Sequence, residues 1–120
     1  MVEFSIVAAV FSFMLLGMFE FGYAAWARSS VAADAREGAR YAMVRGTTSL
    51  LGTADSASVA NFVKTKTGLD QSIVVVTTWS PSTKKAGSLV TVKVRHVTSR
   101  RGPFLPTRTD SASSTMIVVY

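Results

Sequence analysis

Two carboxylates stand out because they lie in an otherwise uncharged and apolar stretch at the start of the chain. Glu3 and Glu20 carry the only charges of the first 27 residues. A carboxylate at the centre of a bilayer costs roughly 2.5–3.5 kcal/mol on insertion scales, and it is tolerated where it has a partner or a task. The chemistry that these residues favour is therefore ion pairing within a membrane or a dry helical bundle.

The other polar residues do not follow a pattern typical of catalysis or metal binding. His96 is the single histidine, and Asp34, Asp55, Asp70 and Asp110 are spread along the chain. Catalytic and metal sites need such groups close together, and a chain without cysteine has no disulfide or thiolate ligand. We predict that the protein is not an enzyme and has no catalytic residues, metal ligands or cofactor, with His96 structural or exposed.

The element that must position the two glutamates is a long helix. Residues 4–27 are apolar over about 24 positions, which at 1.5 Å per residue is enough to cross a bilayer. The stretch is longer than the apolar region of a signal peptide and has no basic segment before it. We therefore predict a membrane span, with aromatic residues gathered at its far end as interfacial anchors. These are Phe19, Phe21, Tyr23 and Trp26.

The same helix is predicted to continue to about Arg45, since no proline or turn cluster interrupts residues 29–44 and Gly46 offers a stop. A helix of this length spans about 65 Å. Small and apolar residues recur in its second part at intervals of three and four, which indicates a buried stripe. The stripe consists of Val31, Ala32, Ala35, Ala39, Ala42 and Met43.

The fold class that we predict is α+β, with a helix over residues 1–45 and a small globular head over residues 46–120. Asp55 or Ser56 caps a short second helix that ends near Gly68. Its inward-facing residues are predicted to be Val59, Phe62 and Val63.

The rest of the head is predicted to be an antiparallel sheet of about three strands. Residues 73–79 are rich in β-branched side chains, and residues 89–97 alternate between two faces, which is typical of a hairpin. Residues 98–114, polar and proline-bearing, are predicted to be a loop, and residues 115–120 a third strand. The predicted inner face of the second strand is Val90, Val92, Val94 and His96.

The charge balance is basic, with 13 Lys and Arg against 7 Asp and Glu and a net charge of +6. Most of the excess lies in the second half of the chain. A basic surface favours anionic partners such as DNA or an anionic cell surface, or it serves only solubility. The sequence shows no nucleic-acid-binding motif that would decide between them.

The N-terminal motifs resemble the TadE-like family of pilin-like proteins, from the tight-adherence (Tad) branch of type IV pilus systems. The residues that carry the resemblance are Val2-Glu3-Phe4, Gly17, Glu20-Phe21-Gly22 and the run AREGARYA at 35–42. They cover about the first 45 residues. Beyond them, the resemblance extends only to the outline of a short helix and a few strands.

The resemblance implies a structural subunit and a route to the cell surface. A prepilin peptidase would cleave a precursor in the inner membrane, and the pilus assembly machinery would then extract it into an extracellular filament or pseudopilus. The partners would be copies of this chain or related pilins, and the head would be displayed for adhesion. In this scheme Glu3 sets the register between subunits.

Further positions on the helix are predicted to contribute to such an assembly. Glu20 either pairs with Arg28 or Arg36 of a staggered neighbour or lies at headgroup level. Arg36, Glu37 and Arg40 either form pairs or mark the junction with the head, near Tyr41. Small residues that let helices approach closely are Gly17, Gly22, Ala24, Ala25, Ala32, Ala35, Gly38 and Ala39.

An alternative is a permanently anchored module whose basic head binds DNA or anionic surfaces. Four arginines follow the apolar stretch, and the positive-inside rule would place such a flank in the cytoplasm. The resemblance to pilins implies the opposite orientation. The four are Arg28, Arg36, Arg40 and Arg45.

Overall fold

A long helix, a short helix and an antiparallel sheet follow one another in the computed structural model, which describes residues 2–69, 72–98 and 107–119. This is the α+β arrangement that the sequence predicts. The molecule is elongated, with extents of 74 × 20 × 19 Å. In chain order the elements are α1 (Val2–Met43), α2 (Ser56–Lys66), β1 (Ile73–Ser80), β2 (Leu89–Thr98) and β3 (Arg108–Ile117).

Helix α1 is continuous over 42 residues and differs between its two halves. The exposed half, residues 2–26, has no buried residue, whereas the buried half, residues 27–43, packs on the sheet and on α2. The buried positions recur every three or four residues and are mostly small, so the head can approach the helix closely. They are Ala27, Val31, Ala35, Gly38, Ala39 and Ala42.

Helix α2 begins and ends where the sequence predicts. Asp55 is its N-cap residue, and the Asp55 N–H donates a hydrogen bond of 2.9 Å to the Ser58 hydroxyl. Val59 and Val63 are buried, and the half-buried Phe62 stacks on Tyr41 of α1 with 4.3 Å between ring centroids. This helix therefore closes the core on the side of β1.

The sheet has the order β1-β2-β3, and both strand pairs are antiparallel. Ile73 lies opposite His96, and His96 lies opposite Asp110. The inner face of β2 consists of the four residues that the alternation predicts, and all are buried, while Lys93 and Arg95 are exposed on the outer face. The core thus lies between the inner face of the sheet and the two helices.

The third strand begins earlier than the sequence predicts. Residues 108–114, predicted to be part of a loop, belong to β3, which ends at Ile117. Aspartate has a low intrinsic strand propensity and serine is common in turns, but strand propensity depends on context and is overridden here by pairing with β2. Thr98, also placed in that loop, is the last residue of β2. Of the rest of the predicted loop, Thr107 belongs to no strand and residues 99–106 lie outside the described residues.

Candidate functional site

The exposed half of α1 is an apolar surface that no other part of the described chain covers. Its most apolar 18-residue window has a mean hydropathy of 2.1, and none of that window is buried within the chain. Phe4, Phe13 and Phe21 are each at least 75% exposed. Contiguous apolar patches of more than a few hundred Å² mark membrane or protein contacts. By length and composition, α1 can cross a membrane.

Glu3 and Glu20 both lie on this exposed half and are themselves exposed. Seventeen positions separate them, which corresponds to about 25 Å along the helix. The ion pairs formed within the described parts of the chain involve neither residue. Each carboxylate is therefore available to a partner from outside the chain, but the monomer does not identify that partner.

An apolar depression surrounds Gly22 at the end of the exposed half. Because Gly22 has no side chain, the flanking side chains stand above it, and the Tyr23 and Trp26 rings lie 5.7 Å apart. A Cβ added at Gly22 would meet nothing within 4 Å. The shape suits an apolar side chain from a neighbouring helix or a lipid chain. The lining residues are Leu15, Met18, Phe19, Gly22, Tyr23 and Trp26.

The small residues predicted for helix packing divide between two surfaces. Gly17, like Gly22, faces open space, Ala25 is exposed, and Ala24 and Ala32 are half-buried. These positions are on or beside the uncovered surface.

The other three small residues already have partners within the chain. Ala35 and Ala39 are at most 1% exposed. A Cβ at Gly38 would lie 2.8 Å from Val63 Cγ2 and 3.1 Å from Val92 Cγ1. Because the head covers these positions, their small size serves close packing of the head on α1. Their predicted contact with a neighbouring subunit is untested.

Arg28 lies where the exposed half of α1 meets the head. Its Nε is 3.4 Å from Asp110 Oδ1, and Arg108 Nε is 3.2 Å from the same oxygen. The Asp110 side chain is only 7% exposed, while that of Arg28 is 71% exposed. His96, paired with Asp110 across the strands, is buried, and its Nδ1 is 3.3 Å from the Thr98 hydroxyl.

This junction cluster of Arg28, Asp110, Arg108 and His96 was not predicted from the sequence. The prediction of a loop over residues 98–114 hid the pairing of Asp110 with His96. The available signal was an aspartate at an inward position of an alternating segment, together with the first arginine after the apolar stretch. Arg28 therefore has a partner within its own chain, and its predicted contact with a neighbouring subunit is untested.

The remaining charges predicted on α1 lie on the surface. Arg36, Glu37 and Arg40 are exposed, and Arg36 Nε donates a hydrogen bond of 3.1 Å to the Ala32 carbonyl. None of the three belongs to an ion pair within the described residues. Tyr41 contacts the head through Phe62, and Arg45 Nη1 donates a hydrogen bond of 2.7 Å to its hydroxyl.

The comparisons with known proteins bear on the same helix. No curated protein and no solved structure matches the chain significantly. Across the described residues, no group of three or more His, Asp or Glu side chains is placed to hold a metal ion. The family model described as TadE-like protein matches residues 1–40, so the resemblance predicted from the motifs is confirmed over the N-terminal third of the chain.

Proposed function

We propose that the chain is a structural pilin-like subunit that polymerises through the exposed half of α1 into a Tad-type pilus or pseudopilus. The observation that carries the proposal is the division of one continuous helix into an uncovered apolar half and a half embedded in the head. Such a subunit can exchange lipid for neighbouring helices without rearranging its own core. The head would then be displayed outside the filament core, where it is available for adhesion.

The composition of this helix permits the exchange of lipid for protein. Lipid chains are as apolar as the side chains of the helix, so no hydrophobic effect drives helices together inside the membrane. Their association depends on close packing and hydrogen bonding instead. Gly17 and Gly22 let a neighbouring helix approach the backbone, and the depression at Gly22 accepts a bulky side chain. In this proposal the helix is an inner-membrane anchor before assembly and becomes the filament core afterwards.

Glu3 sets the register between subunits in this proposal. A charge in a dry bundle needs a cation, and the free N-terminal amine that a prepilin peptidase would leave on a neighbouring subunit supplies one. An intact buried pair is nearly neutral in energy, whereas removal of one partner costs about 3–5 kcal/mol. The pair therefore penalises wrong registers more than it stabilises the correct one.

Glu20 has a candidate partner in Arg28 of a neighbouring subunit. Arg28 lies eight positions further along the helix, so a stagger of about 12 Å between neighbours would bring the two together. Arg28 is largely exposed, and Asp110 would keep Arg108 as a partner if Arg28 turned away.

The experiment is electron microscopy of material sheared from cells that express the full-length protein and the Tad assembly machinery. We expect filaments that contain this chain, and we expect Glu3→Ala to abolish them. Glu37→Ala is the matched control, since it removes an exposed carboxylate from the buried half of the same helix. Exposed ion pairs contribute only about 0–1 kcal/mol, so this control should still assemble.

Either of two results would contradict the proposal. The chain could stay in the membrane fraction while other pilins assemble, which would leave an anchored component. Alternatively, Glu3→Ala filaments could be as abundant as those of the unchanged protein, which would remove the registering function from Glu3.

An anchored binding module remains the second candidate, because Lys93 and Arg95 stand side by side on the exposed outer face of β2. Binding to DNA through such contacts weakens steeply with salt. We would expect Lys93→Glu/Arg95→Glu to abolish salt-sensitive DNA binding by the detergent-solubilised protein. Equal binding by both versions would exclude this face.

A further inference from the structure

The two edges of the sheet carry backbone groups without partners in the described residues. The Val97 N–H donates to the Ser72 carbonyl at 3.5 Å, and the Val118 N–H donates to the Ser88 carbonyl at 2.8 Å. In antiparallel pairs every second residue bonds its partner strand, and the residues between point the other way. With the observed register, even-numbered residues of β1 and β3 bond β2, and odd-numbered residues direct their N–H and C=O groups outward.

The outward-directed positions are regularly spaced and accessible on β3. None of them takes part in the backbone hydrogen bonds that the described residues form outside the helices and strand ladders. On β3 all five are exposed, with hydroxyl or aliphatic side chains on the outer face. They are Ile73, Val75, Thr77 and Trp79 on β1, and Thr109, Ser111, Ser113, Thr115 and Ile117 on β3.

Along β1, and along β3 after Asp110, the strands lack charges and prolines that would discourage pairing with other chains. Soluble proteins protect edges with charged or inward-pointing charged side chains, proline, bulges or very short strands, and on β3 such charges occur only at its start, in Arg108 and Asp110. β1 has eight residues without a charge or a proline, and β3 has no charge after Asp110. Aliphatic side chains lie on the outer face beside both edges, with Val74 and Val76 each 53% exposed and Ile117 59% exposed.

The layers of the head limit where a neighbouring head can make contact. The inner face of the sheet packs on α1 and α2. If the α1 helices form the filament core, the outer face points away from the axis and the two edges point sideways toward neighbouring subunits. All subunits of a polar filament point the same way, and β1 and β3 run in the same direction within one chain. A β3 strand would therefore meet the next subunit's β1 strand in parallel.

We propose that β3 of one copy of this chain pairs in parallel with β1 of the next copy, which joins neighbouring heads into one sheet around the filament. The contact is heterologous, since it uses two different surfaces, and it can therefore repeat along an open helical assembly. The inference rests on the proposed function, because it requires the α1 helices to form the core.

Disulfide cross-linking tests the contact directly, because the natural chain has no cysteine. The side chains of Val76 and Ser113 both lie on the outer face of the sheet. Both residues are paired with Lys93 of β2, one on each side. Two strand spacings separate them by about 9–10 Å. This exceeds the distance of about 7 Å beyond which cysteines cannot bridge. A bond between them must therefore join two molecules.

We would express the full-length Val76→Cys/Ser113→Cys protein with the assembly machinery, oxidise sheared filaments and separate them on non-reducing gels. The expected result is a ladder of covalent multimers from the double variant and none from either single variant. Two further pairings, Val76→Cys with Ser111→Cys or with Thr115→Cys, cover a shift of two residues in either direction.

The outcomes separate this inference from the proposed function. Filaments that form normally but give no ladder in any of the three pairings would overturn the edge contact alone. A failure of the unchanged protein to enter filaments would overturn the proposed function and the edge contact together. A covalent dimer from a single-cysteine variant would indicate a symmetric contact and would also contradict the proposal.

Discussion

At the scale of single residues, Gly38 shows most clearly why one position tolerates so little change. It lies on the buried half of α1, where Val63 of α2 and Val92 of β2 leave no room for a methyl group. The helix itself would favour alanine by about 1 kcal/mol. Overpacking of a core costs roughly 1–3 kcal/mol, so the steric cost is expected to exceed the gain in helix propensity.

We therefore predict that Gly38→Ala destabilises the head by up to about 2 kcal/mol, the difference between those two effects. The measurement is the thermal unfolding midpoint of the detergent-solubilised protein. Gly17→Ala serves as the control, because a Cβ there meets nothing within 4 Å and the site lies far from the head. Equal midpoints for the two variants would show that Val63 and Val92 move aside without cost.

The junction cluster leads to a second residue-scale prediction, which depends on which side of the ion pair is buried. Asp110 is buried, whereas Arg28 is largely exposed and regains water if the carboxylate is removed. Asp110→Asn should therefore cost only about 1 kcal/mol, as expected for a lost hydrogen bond. Arg28→Ala/Arg108→Ala leaves a buried carboxylate without a cation and should cost more, about 3–5 kcal/mol.

Chemical denaturation of the three proteins in the same detergent would measure both costs. The decisive comparison is which of the two variants loses more unfolding free energy, and we expect it to be the double arginine variant. If Asp110→Asn proved more destabilising than the double arginine variant, the carboxylate would contribute mainly through a partner other than the two arginines, such as His96.

At the scale of elements, the sequence was sufficient for α1, α2, β1 and β2, because each has a strong local pattern. Apolar and small residues define α1, and the alternation of valines with polar residues correctly predicted the buried face of β2. β3 has no such signal, since its residues Ser111, Ser113 and Ser114 belong to types common in loops. Its strand structure arises from long-range pairing with β2, which a local pattern does not contain.

The alternation of β3 residues between those that bond β2 and those that point away from it leads to a prediction at this scale. Ser114 is directed toward β2 and Ser113 away from it, according to the register and the Val118–Ser88 bond. Proline removes the N–H at its position and is tolerated in sheets mainly where that N–H faces outward on an edge strand. Ser114→Pro should therefore destabilise the head more than Ser113→Pro, by about 1 kcal/mol for the additional lost hydrogen bond.

Circular dichroism melts of the two proline variants would test this difference, with Ser113→Ala and Ser114→Ala as references for the lost hydroxyls. A larger loss of thermal stability from Ser113→Pro would mean that the odd-numbered residues of β3, and not the even-numbered ones, bond β2. In that case the outward-directed set on β3 would consist of the even-numbered residues.

At the scale of the whole molecule, the core crosses the predicted division between residues 1–45 and 46–120. The head packs on the second half of α1, which contributes Ala27, Val31 and Ala35 among its buried residues. The Val119 N–H also donates a hydrogen bond of 3.0 Å to the Met43 carbonyl at the end of the helix. The local patterns that predicted α1, α2, β1 and β2 therefore did not show which part of the chain covers the second half of α1.

We predict that a fragment of residues 24–120 folds in water and that a fragment of residues 46–120 does not. The shorter fragment would leave the inner faces of β2 and β3 without their cover, since both strands pack on α1. Circular dichroism and the dispersion of amide NMR signals would distinguish the two. A cooperative melt of the shorter fragment would show that the sheet and α2 suffice.

The candidate site was predictable only in part, for a related reason. The positions of Glu3 and Glu20 on an apolar helix follow from the sequence, and the structure leaves both exposed. The small residues look alike along the whole helix, however, and only the folded head shows which of them it covers. A periodic stripe identifies a contact face and does not identify the partner.

The absence of a break in α1 has a mechanical consequence. A pull on the head is carried along the helix axis, and the packing between the sheet and residues 27–43 is loaded in shear, so that many contacts resist together. No loop separates the uncovered half of the helix from the embedded half, and none can extend under load. We expect each subunit to behave as a stiff rod that transmits tension from its head to its N-terminal end with little stretching.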